Sequence, residues 1–274
     1  KFNAAPTSAG SSPSLSAQIA KAQEQADKIA GVQRVAVVGG GPSSVSTASN
    51  LKRHYPDKDV HLFFSRSHVL PGYHQATRSD AMVRLLCDGV TLHPNHRAEV
   101  KPGFTGDTLE PGPILWQTGQ EPFNADLVVW AIGQVKPHSG FLPSEMLDNH
   151  GFVKVDSFLR VEGHENIFAV GDVAATDVHR SSARNQGYET VSKNIRKVLQ
   201  GKSEKMKRFK PPPEHRWGSI FGVQREGMRV YTPSGRGITI GPWLTTWLIF
   251  KFITAEIIFK GIRKLNPRGF LNLP

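Results

Sequence analysis

The stretch VAVVGGGPSS, residues 35–44, constrains the fold of this chain more than any other. Four apolar residues run into three glycines and then into Pro42 and helix-compatible sequence, which reads as a buried strand, a tight turn and a helix starting at once. Gly39, Gly41 and Ser44 occupy the three positions of a GxGxxG pattern. The first glycine permits the turn, the second lets backbone approach a pyrophosphate, and the third position lets helix and strand pack closely. Ser44 departs from glycine but is small. Pro42 suits the first helical turn, where its missing N–H costs nothing, and the helix N-terminus offers free amides and partial positive charge to a phosphate. The plain alternative is a Gly-rich turn without a ligand.

The surrounding order supports a nucleotide site. DVHLFFS follows as a second strand, residues 74–88 as a helix ending near Gly89, and VTLHP, PILWQTG and DLVVWAIG as three further strands. Strand, helix and strand joined by short loops imply a right-handed crossover in a parallel sheet, so the fold class is α/β, Rossmann-like. An NAD-selective fold usually carries an acid at the end of the second strand to hold the ribose 2′-hydroxyl. Here that end reads Phe64, Ser65, Arg66, Ser67. With no acid and an Arg available for a 2′-phosphate, NADPH is at least accepted; otherwise Arg66 is a solvated loop charge. Ala131-Ile132-Gly133 ends a strand with a glycine, which allows the chain to turn away beside a bound nucleotide.

Four regions follow from composition and pattern. Residues 1–30 are an Ala/Ser/Pro/Gly linker and a leading helix from Ser16 to Ala30 with a serine N-cap; 31–150 form the nucleotide domain. In 151–200, FVKVD and NIFAVGD read as strands before the helix RNQGYETVSKNIRKVLQ, and 201–274 form a basic, apolar C-terminal segment. The one cysteine, Cys87, rules out a disulfide framework, a cysteine zinc cluster and a CxxC pair within this chain, and fits a reducing compartment. In HPNH, residues 93–96, two local ligands belong to a strand end rather than a metal site.

Taken in order, these motifs resemble the two-dinucleotide-domain flavoproteins, in which an NAD(P)H domain is inserted within an FAD domain. VAVVGGGPSSVSTASNLKRHYPDKDVHLFFS, LRVEGHENIFAVGDVA and FGVQREGMRVY look most like the apoptosis-inducing-factor-like branch. The resemblance runs from Gln33 to about Tyr231 and implies hydride transfer from NAD(P)H to FAD and onward to a quinone-like acceptor. It implies that NAD(P)H binds along Gly39, Gly41, Pro42, Ser43, Ser44 and Ser46, with Ser65, Arg66 and Gly133 beside it. It also implies that Asp172 binds the flavin ribitol, that Gly171 lets it approach, and that the helix beginning near Ala183 to Gln186 aims its N-terminus at the flavin pyrimidine edge; alternatively Asp172 is a turn residue. The branch commonly has a glutamate where this chain has Ser46. Its first flavin turn has no counterpart from residue 1 onward, so the expected fold is an N-terminally incomplete flavoprotein with a small C-terminal segment. The rival expectation is a nucleotide-binding or membrane-associated module without flavin.

Charge sets the last expectation. Residues 1–189 carry 17 Lys/Arg against 19 Asp/Glu, and residues 190–274 carry 17 against 4. Trp243 to Phe259 is apolar but short, and it is interrupted by Lys251 and Glu256, which suits a helix lying in a membrane interface better than one spanning it. The basic flank Lys260, Arg263, Lys264, Arg268 favours an anionic membrane over nucleic acid, since no stacking platform or groove-reading motif accompanies it. A cytoplasmic protein held peripherally at an organelle or lipid-droplet surface fits this pattern; packing in a core or dimer is the alternative.

Overall fold

The computed structural model describes residues 14–100, 104, 109–132, 137–177, 182, 187–211, 215 and 218–247. Two compact units emerge: one from residues 1–132 and 215–274, the other from 133–214.

The first unit opens with α1, Leu15–Ala30, capped by Ser14, whose Oγ accepts from the Ala17 amide at 3.2 Å. The cap is thus two residues earlier than Ser16. There follow β1 (Arg34–Val38), α2 (Pro42–His54), β2 (Asp59–Phe63), α3 (Gln75–Asp88), β3 (Thr91–His93), β4 (Glu110–Ile114) and β5 (Phe123–Trp130). Five strands form one sheet in the order β3-β2-β1-β5-β4, parallel except for β4. This is the α/β sheet that the sequence order required.

Both faces of β1 are buried. Val35 and Val37 join Leu62, Leu127 and residues of α2 and α3 on one side, while Ala36 and Val38 join Phe63, Ile114, Trp116 and Val128 on the other. A central parallel strand therefore reads as a continuous apolar run rather than an alternating one. The expected strand PILWQTG begins three residues earlier, at Glu110, and ends at Ile114. As the last strand of the sheet it tolerates Pro111 and Pro113, whose missing N–H groups need only face the open edge.

The chain returns to this unit after residue 214. A three-stranded sheet, β6 (Val223–Gln224), β7 (Gly227–Tyr231) and β8 (Gly237–Ile240), is followed by α5, Pro242–Thr246. Ile220, Phe221 and Tyr231 enter the main core, each under 5% exposed. Asp80 of α3 holds this hairpin: it accepts two bonds from the Arg229 guanidinium, at 3.0 and 2.9 Å, and one from the Tyr231 hydroxyl. A second junction joins Arg53 of α2 to Asp88 at 2.8 Å and to Glu226 at 2.8 and 2.9 Å.

In the second unit FVKVD and NIFAVGD do not form a ladder among the described residues. They meet their neighbours only through isolated bridges, Val153 with Leu147 and Ala174, Val155 with Val161, and Arg160 with Phe168. Asp156 explains part of this. Its carboxylate accepts from the Phe158 and Arg160 amides and folds the chain back before a longer strand can form. α4, Gly187–Leu199, follows, with buried Asn194 donating to the carbonyls of Phe158 and Lys207.

Candidate functional site

The turn after β1 is fixed by its neighbours. The Gly39 amide donates to the Phe63 carbonyl at 2.8 Å, and the Ala131 amide donates to the Val38 carbonyl at 2.8 Å. Gly39 has φ +143°, and a Cβ there would stand 2.4 Å from the Ala131 carbonyl oxygen. Only glycine fits where β1 leaves the sheet against the end of β5. Gly41 is different: its backbone is extended, and a Cβ there would meet nothing within 4 Å. Open space of this kind is what close approach of a diphosphate requires.

Gly41 is the N-cap of α2 with no side-chain cap, and Pro42 takes the first turn. The first amides of the helix are thus left for an anion. Ser43 is exposed, whereas Ser44 is fully buried and donates to the Gly41 carbonyl at 2.7 Å. That bond explains how a serine serves at the third position: its hydroxyl is spent within the turn. Ser46, where the branch commonly has glutamate, is half-buried. Asn50 Nδ2 donates to its carbonyl at 2.8 Å and to its hydroxyl at 3.2 Å, and also reaches the Phe221 carbonyl at 3.3 Å. Ser46 is thereby tied to the returning C-terminal loop, a link between residues 171 positions apart that no local motif announces.

The exit of β2 carries Ser65 and Arg66, both exposed, with no acid between Phe64 and Ser67. The loop is pinned by the Asn95 amide on the Arg66 carbonyl and the His96 amide on the Phe64 carbonyl, each at 3.0 Å. His68, missed in the sequence, is hydrogen-bonded to the Arg78 guanidinium from α3. Burial, with the charges of Arg78 and Arg66, holds its imidazole below the usual histidine range. Arg66 and Arg78 make this corner electropositive and suited to a phosphate, while His68 stays neutral beside them. Gly133 and Gln186 lie outside the described residues.

HPNH sits elsewhere, on the face of the sheet lined by Phe63 and Trp116. The His93 ring stacks on Phe63 at 4.2 Å, and its Nε2 lies 2.8 Å from His61 Nδ1. Burial first, then the neighbouring His61 and His96, push the His93 imidazole down to about 4.

In the second unit the segment after Val170 turns at Gly171, with φ +96°, and presents Asp172 as an exposed residue. Ser182, fully buried, closes the turn: its Oγ accepts from the Gly171 amide at 3.0 Å and donates to the Gly171 carbonyl at 3.3 Å.

A parallel sheet that carries an uncapped helix behind a glycine turn at its first strand defines a dinucleotide-binding protein of the Rossmann class. Residues 7–197 match the pyridine nucleotide-disulphide oxidoreductase family, and the chain belongs to it. NAD(P)H and FAD are the cofactors of that family, and the expected kinship is borne out. Among relatives, the oxidoreductase ptaL of Pestalotiopsis fici is 29% identical over 178 residues, covering 65% of this chain and 46% of that protein. Ferroptosis suppressor protein 1 of Xenopus laevis is 29% identical over 187 residues, covering 65% and 49%, and that of Mus musculus is 32% identical over 180 residues, covering 59% and 45%. The chain thus spans about half the length of these curated relatives. Of solved structures, LpdA from Mycobacterium tuberculosis superposes with a TM-score of 0.54 at 19% identity, covering 74% of this chain and 41% of that one. The water-forming NADH oxidase from Lactobacillus brevis, bound to NADH, gives 0.50 at 19%, covering 67% and 40%. Both are likenesses of fold.

Proposed function

We propose that the protein is an FAD-dependent NAD(P)H oxidoreductase that accepts NADPH and delivers electrons to a quinone-like acceptor at an anionic membrane surface. The observation that carries the nucleotide site is the open space at Gly41 before the uncapped N-terminus of α2. There the pyrophosphate lies against backbone amides, and Arg66, near the Arg78–His68 pair, receives the adenosine 2′-phosphate. Gly171 and Asp172 face the flavin, with Asp172 on the ribitol.

When bound, FAD supplies the capacity to take a hydride from NAD(P)H and release electrons in single or paired steps. The chain's own part is to bind, orient and exclude. Ser46 contributes a short hydroxyl near the nicotinamide in place of a carboxylate. Cys87 is the only cysteine in the sequence, so no disulfide pair lies within this chain; the likeness to ferroptosis suppressor protein 1 is what supports a quinone-like acceptor. The membrane reading rests on the basic C-terminal segment and on Trp243 and Trp247, 78% and 43% exposed.

The test uses the full chain supplied with FAD. Flavin absorbance near one equivalent, bleached anaerobically by NADPH, is the outcome that supports the oxidoreductase. Arg66→Ala should weaken NADPH binding about tenfold or more, the range of a lost charge-assisted hydrogen bond, and leave NADH binding unchanged. A colourless protein that binds nucleotide would favour the flavin-free module instead, and equal effects of Arg66→Ala on the two nucleotides would remove the 2′-phosphate assignment.

A further inference from the structure

We infer that Ser182 is the positioning residue of the flavin-facing half of the site, keying the Gly171–Asp172 turn to the start of α4. The inference rests on the reading of that turn as flavin-facing. Three observations within the second unit converge on this side chain. Ser182 is fully buried, where a hydroxyl must be satisfied. Its Oγ engages both the amide and the carbonyl of Gly171, at 3.0 and 3.3 Å, so both peptide groups flanking the Gly171 Cα are fixed. On its other side Ser182 abuts the first residue of α4: a Cβ at Gly187 would lie 2.4 Å from the Ser182 carbonyl oxygen and 2.9 Å from its Cβ.

The consequence is directional. Gly171 is in the left-handed region at φ +96°, a conformation with few local determinants, so an external clamp decides where the next residue points. That next residue is Asp172. The same serine sets the position from which the helix dipole of α4 acts, so two groups that meet the flavin in this reading share one support. Neither contact puts Ser182 against the cofactor. It acts through Gly171 and Gly187.

The experiment compares Ser182→Ala with Asp156→Ala in the full chain loaded with FAD. Asp156 also holds a turn of this unit through side-chain bonds to backbone amides, but at Phe158 and Arg160, and serves as the control for loss of stability. FAD dissociation constants are read from flavin fluorescence, midpoint potentials from anaerobic titration, and thermal midpoints from circular dichroism. Ser182→Ala is expected to raise the FAD dissociation constant about tenfold, the scale of two lost hydrogen bonds, and to shift the flavin potential. Asp156→Ala is expected to lower the thermal midpoint and leave both flavin properties unchanged. Unchanged affinity and potential in Ser182→Ala, or changes in both variants proportional to their loss of thermal stability, would overturn the proposal alone. A wild-type chain that takes up no FAD would overturn the flavin reading, and the proposal with it.

Discussion

Gly39 and Gly41, two positions apart in one motif, do opposite work. At Gly39 a methyl group meets the Ala131 carbonyl oxygen 2.4 Å away in a backbone conformation that disfavours side chains, so Gly39→Ala should destabilise the fold by about 3 kcal/mol or more. At Gly41 the extended backbone accepts alanine and the methyl group enters open space. Gly41→Ala should therefore keep the wild-type urea midpoint while weakening NAD(P)H binding at least tenfold, since the methyl occupies the approach of the pyrophosphate. Denaturation and calorimetric titration of the two variants check this; equal loss of stability in both would remove the division of roles. Which glycine answers to the fold and which to the ligand was not legible in the sequence, because it depends on a carbonyl 92 residues away. The identity of the turn was legible, because strand, glycines and Pro42 are local.

At the scale of elements, legibility follows range. β1, α2, β2 and α3 carry their own apolar runs, caps and stop signals, including His74 as N-cap and Gly89 in the left-handed conformation after α3. The strands expected at FVKVD and NIFAVGD have the right residues, yet the Asp156 turn leaves them paired only at single bridges. The clamp of Arg229 and Tyr231 on Asp80 spans 149 and 151 residues and has no local signal. The junction of β2 and β3 carries a prediction of its own. His93 is held neutral in the fold, its imidazole lowered from 6.5 to about 4, so the unfolded chain binds the proton more readily between those values. That stability is complete above about pH 6.5 and is lost as pH falls toward 4. His93→Phe, which keeps the stack on Phe63, should flatten this part of the profile of thermal midpoint against pH; an unchanged slope would assign it to other groups.

The whole molecule divides its charge and its surface unevenly. No helix among the described residues is long and apolar enough to cross a membrane. Of the segment 243–268 assigned above to a membrane interface, residues 248–268 lie outside the described residues; Trp243, Leu244 and Trp247 are 78%, 45% and 43% exposed. Aromatic side chains of this kind suit a headgroup boundary, and each basic residue near an anionic leaflet adds about 1 kcal/mol that salt weakens. The full chain should float with anionic liposomes at low salt and less at high salt, and a chain ending at Gly241 should not; equal flotation of the two, or none, would leave the segment to core or dimer packing. The return of Ile220, Phe221 and Tyr231 into the first core has a temporal side. On the ribosome the five-stranded sheet emerges first, then the whole of residues 133–214, and only afterwards the side chains that complete its core. At about 5–20 residues per second that delay is roughly 5–20 s, during which α2 and α3 leave apolar surface open to holding chaperones. The nucleotide turn is made before residues 133–214 and secured only after them.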